Sequence, residues 1–457
     1  MKNFLLAAAA LLLVATGMAG CQEDLIATPY VMYGEPGRKI FDQIPPAART
    51  PEVRVFYVTD RSAEPDSSRG QEYGYGRGKR TAFGTATVSL GDNVTWDELV
   101  ADSTRPERKA SYSPRITNIH EAGSFSPISD FMEAKDGRLA RKPGAIADFN
   151  LEQDRMCQEL LPWLENTDRK EVVVFIHGFN NTFDDAVLRL AQAWHFTGRK
   201  GVPIVYSWPA GSPGLLNYAH DRESGEFTTV HLKMLLTTLA RCPQIERIHI
   251  LSHSRGTDVA ITALRELNAE IRGATGYGVI AKNLGLVPAP AAGAPEPRTA
   301  FDVLKIQTLV LAAPDIDSEV FTQRFIGENL LQCCNNLVVY FSAEDSALGL
   351  ANWLFNGRTR LGDMHITDFT PQQRDALSQL SKVQLINCKL TGYSSHSYFT
   401  QHPSAVSDLF LVMVAERPPG AAYGRPLAIP FPGAWEMDDS YLRPEKTAST
   451  GETSGPP

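Results

Sequence analysis

Continuous apolar runs alternate with amphipathic segments through the middle of the chain. Runs typical of strands that are buried on both faces of a sheet occur at residues 172–176, 203–207, 248–251, 308–312, 337–341 and 383–386. Apolar residues at helical spacing occur between or after them, at 182–194, 222–241, 259–264 and 403–416. This alternation predicts an α/β protein with a doubly wound, mostly parallel sheet.

The pattern is weaker before residue 171. Residues 53–58 and 81–90 are predicted to be strands, and the Gly-, Ser- and charge-rich residues 62–80 between them a loop. Residues 21–52 contain five prolines and are interpreted as a tether that leads onto the fold. Residues 91–150 have no clear periodicity, so the sequence assigns no elements there.

One domain is expected at residues 53–416. A Gly-, Pro- and Ala-rich insertion at 273–300 interrupts it and is either a lid or a surface loop. Residues 417–457 are rich in Pro, Gly, Ser and Thr, a composition that predicts a disordered tail.

The N-terminus has the pattern of an export signal. Lys2 is the only charged residue before an apolar run at residues 4–14. The run is followed by Met18-Ala19-Gly20-Cys21, which resembles a bacterial lipobox and implies a signal peptide of residues 1–20 with a lipid on Cys21. Such a protein would be attached to a membrane of the bacterial cell envelope, on the periplasmic side. The alternative is an uncleaved membrane anchor of similar length.

Composition excludes several functions. The net charge of −8 and the absence of Lys/Arg runs argue against a nucleic-acid partner. No zinc-type Cys/His spacing and no phosphate-binding G-x-x-x-x-G-K-[ST] motif is present, so no metal or cofactor is predicted. Beyond Cys21 there are five cysteines, and an odd number leaves at least one thiol free in a monomer.

The strongest chemical signal is the stretch Ser252-His253-Ser254-Arg255-Gly256, which follows a strand and precedes a helix. It is a G-x-S-x-G nucleophile elbow with serine at the first glycine position. Only small flanking residues fit such a sharp turn, and the middle residue is held in a strained conformation near a helix N-terminus. Ser254 is therefore the candidate nucleophile.

A serine nucleophile needs a base and an acid that orients the base. In α/β-hydrolases they follow the serine in the order Asp or Glu, then His. Asp345 and His396 meet that order, and each comes just after a predicted strand. Asp315 is the alternative acid, and His402 and His365 are alternative bases.

Several separate motifs carry a family resemblance. They are Val58-Thr59-Asp60-Arg61, Phe175-Ile176-His177-Gly178-Phe179-Asn180, Ser207-Trp208-Pro209, Tyr218 with Asp221-Arg222-Glu223-Ser224, the Ser254 elbow, Ala313-Pro314-Asp315-Ile316-Asp317 and His396-Ser397-Tyr398-Phe399. Together they resemble the bacterial α/β-hydrolase family known as domain of unknown function nine hundred, over residues 53–415. The resemblance implies the α/β-hydrolase fold and an esterase-like site, with Ser252 and the insertion as departures.

The remaining site predictions concern substrate contacts. The backbone N–H groups of Phe179 and Arg255 are predicted to form the oxyanion hole, one after His177-Gly178 and one after the nucleophile. His177, Gly178 and Tyr218 are candidates for substrate binding.

The expected activity is cleavage of a carboxylic ester, from a small molecule or a lipid, through an acyl-enzyme on Ser254. A thioesterase or amidase would use the same three residues. The other alternative is a non-catalytic, membrane-tethered binding protein with a hydrolase fold, because fold does not determine function.

Overall fold

The computed structural model describes residues 25–167, 169–212, 217–274, 299–345, 348, 360–392 and 396–444. Its strands are β1 Glu52–Ser67, β2 Gly70–Ser89, β3 Arg115–Phe125, β4 Met132–Lys135, β5 Arg138–Arg141, β6 Glu171–Ile176, β7 Val202–Ser207, β8 Arg247–His253, β9 Ile306–Ala312, β10 Cys334–Phe341, β11 Val383–Lys389, β12 Ala428–Phe431 and β13 Ala434–Asp438. Eleven of these form one sheet in the order β12-β13-β11-β10-β9-β8-β6-β7-β1-β2-β3, and β4 pairs only with β5.

Helices connect the strands and cover both faces of this sheet. They are α1 Glu35–Asp42, α2 Trp96–Asp102, α3 Ala145–Glu165, α4 Phe183–Phe196, α5 Asn217–Arg241, α6 Arg255–Ala274, α7 Ala300–Leu304, α8 Ser318–Thr322, α9 Pro371–Ser378, α10 Tyr398–Gln401 and α11 Pro403–Met413. A short π-helix, Gln323–Gly327, directly follows α8. Thr182 and Asp185 form a capping box at the start of α4.

The sheet is parallel from β1 through β7, β6, β8, β9, β10 and β11 to β13, and antiparallel at both margins. Its apolar residues divide between two cores. Val172, Val174 and Ile176 of β6 face the core beneath α3, α5 and α6, whereas Phe175 faces the core beneath α4 and α11. The doubly wound, mostly parallel sheet that the apolar runs predicted is confirmed. Strands buried on both faces need apolar residues at every position, which is why the runs were visible in the sequence.

The predicted tether is wrong for residues 25–52. Met32 and Phe41 are fully buried in the core beneath α4, and Phe41 packs on the ring of His195 with 4.9 Å between ring centroids. Prolines stand at the start of each short helix of this segment, and the apolar residues between them cover one face of the domain.

The predicted loop at 62–80 is also wrong. β1 and β2 continue through it as a long hairpin that pairs Glu64 with Glu72 and Ser67 with Gly70. The hairpin tip is mostly exposed, so its side chains carry no apolar alternation. Its structure depends on backbone pairing, which a hydrophobic pattern does not report.

The predicted disordered tail is wrong for residues 417–444, and β11 is not the last strand. β13 pairs in parallel with β11, in the register Leu385 with Ala434. Arg425 is fully buried and donates two hydrogen bonds, of 2.8 and 2.9 Å, to the carboxylate of Asp408 in α11. This buried ion pair holds the segment around Arg425 against α11, although the composition of that segment is typical of a loop.

Other predictions fall partly or wholly outside the described residues. Residues 1–20 and Cys21 are not described, nor are 275–298 of the expected insertion and 445–457 of the tail. A disulfide joins Cys157 in α3 to Cys242 after α5. In the part of the chain that is described, no helix combines the length and the hydropathy needed to cross a membrane.

Candidate active site

The turn between β8 and α6 consists of one residue, Ser254. Its φ angle is 50°, in the left-handed region that a non-glycine residue seldom occupies. The surrounding backbone holds this conformation: the Ser254 N–H donates to Ala312 O (2.9 Å), and the Ser254 carbonyl accepts hydrogen bonds from Thr257 N (3.0 Å) and Asp315 N (3.2 Å). The side chain therefore leaves the turn in one fixed direction, as strained functional residues do.

Glycine is required on two sides of this turn. A Cβ atom on Gly256 would lie 2.3 Å from the backbone oxygen of His177. A Cβ atom on Gly178 would lie 2.9 Å from the Cβ of Ser254. The loop after β6 and the start of α6 thus approach each other too closely for any side chain.

The three side chains predicted from the order of residues along the chain lie in hydrogen-bonding contact. His396 Nε2 is 2.8 Å from Ser254 Oγ, and His396 Nδ1 is 2.7 Å from Asp345 Oδ2. Asp345 is buried and follows β10, while His396 lies in the loop after β11. The second carboxylate oxygen of Asp345, Oδ1, accepts a hydrogen bond from the backbone N–H of Leu348 (3.1 Å). The carboxylate is therefore held on one side by backbone and aimed at the imidazole on the other.

Two carboxylates act on the charge of His396. Burial alone lowers the pKa of His396, but Asp345 outweighs burial through its charge and its hydrogen bond, and Asp315 adds to the effect, so the pKa is raised above its ordinary value. Asp315 makes other contacts: its Oδ2 accepts from the Tyr218 hydroxyl (3.4 Å), and its Oδ1 is 3.4 Å from Arg360 Nε. The geometry therefore favours Asp345 over the alternative acid Asp315. The alternative base His402 bonds Asp439 instead (3.0 Å).

The two predicted oxyanion donors flank Ser254. Arg255 is the first residue of α6, so its N–H has no carbonyl to bond within the helix. Phe179 follows the glycine that touches Ser254. Among the described residues, neither of these two N–H groups has a hydrogen-bond acceptor. Two free donors beside a serine hydroxyl suit an oxygen that becomes negatively charged.

The interpretation of His177 as a substrate-binding side chain is wrong. His177 is fully buried and stacks on Trp208 with 5.1 Å between ring centroids. Its Nε2 accepts the Trp208 backbone N–H (3.1 Å), and its Nδ1 lies 2.9 Å from the Gly178 carbonyl. Burial, and next the charge of Arg61, lower the pKa of His177 well below its ordinary value, so the ring is neutral and structural.

The other two substrate candidates lie beside Phe179. Gly178 contacts Ser254 through backbone, as described above, and Tyr218 packs on Phe179 with 5.5 Å between ring centroids. Their role in substrate binding stays a prediction.

Sequence reasoning assigned no role to His253. Its buried ring lies 4.9 Å from the His396 ring and 4.3 Å from Phe399, and its Nε2 is 3.2 Å from the His396 carbonyl. Burial lowers its pKa well below the ordinary value, so the neutral ring donates from Nε2 to that carbonyl. His253 thereby ties the loop of His396 to the elbow. Its position inside the elbow was the available signal.

One group of acidic and histidine side chains among the described residues converges closely enough to hold a cation: Glu171, His249 and Glu416. It lies at the amino ends of β6 and β8, opposite the serine. Arg169 and Arg247 form ion pairs with both carboxylates of this group. Because these guanidinium groups already neutralise the carboxylates, the group is an ion-pair network.

A comparison with family models agrees with this architecture. No curated protein is similar enough in sequence to count as a relative. One solved structure that matches this chain is a lipase-esterase related protein from Clostridium acetobutylicum ATCC 824. The match has 8% sequence identity and a TM-score of 0.19, and it covers 54% of this chain and 90% of that protein's chain. The family model described as alpha/beta hydrolase of unknown function (DUF900) matches residues 152–417, which include β6 to β11 and the Ser254, Asp345 and His396 side chains. The chain belongs to this family of α/β hydrolases of unknown function.

Proposed function

We propose that the protein is a serine hydrolase that cleaves a carboxylic ester. The observation that carries the proposal is the continuous hydrogen-bonded path from Ser254 Oγ through both nitrogens of His396 to Asp345. A structural serine at a strained turn has no need of a neighbouring imidazole, and a structural histidine has no need to join it to a buried carboxylate.

The reaction follows from these contacts. His396 Nε2 takes the Ser254 proton as Oγ attacks the ester carbonyl carbon, and Asp345 stabilises the imidazolium that forms. The carbonyl oxygen becomes negative and receives hydrogen bonds from the N–H groups of Phe179 and Arg255. The C–O bond to the alcohol breaks, and His396 gives the alcohol its proton. Water then repeats the sequence on the acyl-enzyme, and no cofactor takes part.

The test is labelling with a fluorophosphonate, followed by the mass of the intact protein. The wild type is expected to gain one adduct, and Ser254→Ala none. Ser252→Ala is the matched control, because this nearby buried hydroxyl only donates to Val310 O (3.0 Å). A folded wild type that gains no adduct would reject the proposal and favour a non-catalytic binding protein. An adduct would justify comparing oxygen esters with thioesters and amides.

We also propose that the mature protein is a lipoprotein of the bacterial cell envelope, attached to the membrane through Cys21 and acting on a small-molecule or lipid ester. The support is the sequence pattern before Cys21. Cells fed a radiolabelled or clickable fatty acid should label the wild type but not Cys21→Ala. Label retained on the variant would reject the anchor.

A further inference from the structure

A buried guanidinium lies behind the loop that carries the Phe179 N–H. Arg61 of β1 is 2% exposed. It donates to Ser207 Oγ (2.8 Å), Ala210 O (2.7 Å), Gly74 O (3.1 Å), Asn181 O (2.8 Å) and His177 Nε2 (3.3 Å). One side chain therefore joins β2, the loop after β6 and the loop after β7.

Two of these contacts bracket Phe179. His177 is the first residue of the loop after β6, and Asn181 is the last before the helix cap. The same guanidinium nitrogen of Arg61 bonds both, so the two ends of the five-residue loop are held together. From the other side, Asp221 accepts the N–H of Asn180 (2.9 Å). Phe179 lies between these fixed points, so the residues on either side of it set the direction of its N–H group.

The charge of Arg61 is costly where it lies. Among the described residues no carboxylate forms an ion pair with it, and its neighbour Asp60 bonds His231 (2.7 Å) instead. Burial lowers the pKa of Arg61 to about 10, so it remains protonated at neutral pH. A buried cation whose acceptors are mostly neutral backbone oxygens is expensive for packing alone. Its hydrogen bonds to both ends of the loop suit it to fixing residues 177–181.

We propose that Arg61 is a positioning residue of the oxyanion site, which holds residues 177–181 so that the Phe179 N–H meets the substrate oxygen. The inference rests on the proposed function. It also assigns a role to β1, which precedes the residues that the family model matches.

The test compares Arg61→Met with Arg199→Met. Arg199 is an equally suitable buried arginine remote from the serine; it donates to Ala48 O (2.8 Å), Thr50 O (2.8 Å) and His195 Nδ1 (3.3 Å). Both variants should lose thermal stability. Only Arg61→Met should lose kcat and fluorophosphonate rate, by about a hundredfold, the usual loss for one oxyanion donor. KM should stay within about threefold, and guanidinium ion should partly restore Arg61→Ala.

Equal losses of kcat in both variants, or an unchanged kcat in Arg61→Met, would overturn the inference. If Arg61→Met does not fold, Ser207→Ala removes a single acceptor and should lower kcat severalfold. Backbone hydrogen exchange of residues 177–181 should become faster in Arg61→Met and in Ser207→Ala. Unchanged exchange would also overturn the inference. A wild type without an adduct would instead reject the proposed function, while the exchange measurement would still show whether Arg61 fixes the loop.

Discussion

Replacing Asp345 with asparagine tests the central contact of the site. In the wild type the carboxylate accepts from His396 Nδ1–H, which leaves Nε2 free to take the Ser254 proton. An asparagine amide can donate to Nδ1 and favour the tautomer with the proton on Nε2. That ring can no longer accept from the serine, so the base is lost although the side-chain shape is kept.

The size of the effect follows from the contact distance. The oxygen–nitrogen separation of 2.7 Å places the two charges of the Asp345–imidazolium pair about 4 Å apart. At an effective dielectric constant of about 20 their attraction is about 4 kcal/mol. That corresponds to about a thousandfold in rate, and the wrong tautomer extends the loss toward ten-thousandfold, on the order seen in serine triads.

The assay compares kcat/KM for Asp345→Asn and Asp315→Asn on one ester. Asp315 acts on His396 only through its charge, which Arg360 partly offsets. Its loss should cost no more than about tenfold, or 1.4 kcal/mol. A thousandfold loss in Asp315→Asn with a small loss in Asp345→Asn would refute the assignment of the acid. Circular dichroism of both variants controls for folding.

Three further predictions follow from the same contacts. Because the carboxylate bonded to His396 raises its pKa despite burial, and only the neutral ring accepts a proton, kcat/KM should fall as pH drops through that raised pKa; a pH profile checks this. Gly256→Ala should cost about 2 kcal/mol of stability, whereas Gly273→Ala on the same helix, with nothing within 4 Å, should gain about 0.5 kcal/mol, as urea unfolding would measure. Reducing the Cys157–Cys242 disulfide, which closes a loop over 85 residues, should lower the free energy of unfolding by about 4 kcal/mol. The melting temperature should therefore fall in reductant, and the double serine variant should show no such shift.

The central sheet was predictable because its strands are buried on both faces. Val172 to Ile176 are apolar at every position, a pattern that few other structures require. The elbow was predictable for a related reason, since the backbone contact of Gly256 with His177 O admits no side chain. In both cases the sequence is constrained by sterics at each residue.

The margins of the fold depend on pairing partners that are distant in sequence. The exposed hairpin tip at residues 62–80 needs no apolar residues. The sequence around Arg425 is typical of a loop, and only the fold shows that Arg425 pairs with Asp408. The contacts of Arg61 span up to 149 residues of sequence. No local pattern reports such an acceptor set, which explains why its role was not predicted.

Strands from outside the matched region cover both edges of the parallel part of the sheet. If the sheet consisted of residues 152–417 alone, it would end at β7 on one side and at β11 on the other. Both are apolar strands, and their outer backbone N–H and C=O groups would be unpaired. β1 to β3 cover the first edge, and β13 covers the second. The outermost strand there, β12, is only four residues long and contains Pro430, which cannot donate to an incoming strand. On the β12 side, the segment beyond the matched region therefore disfavours the addition of a strand from another molecule.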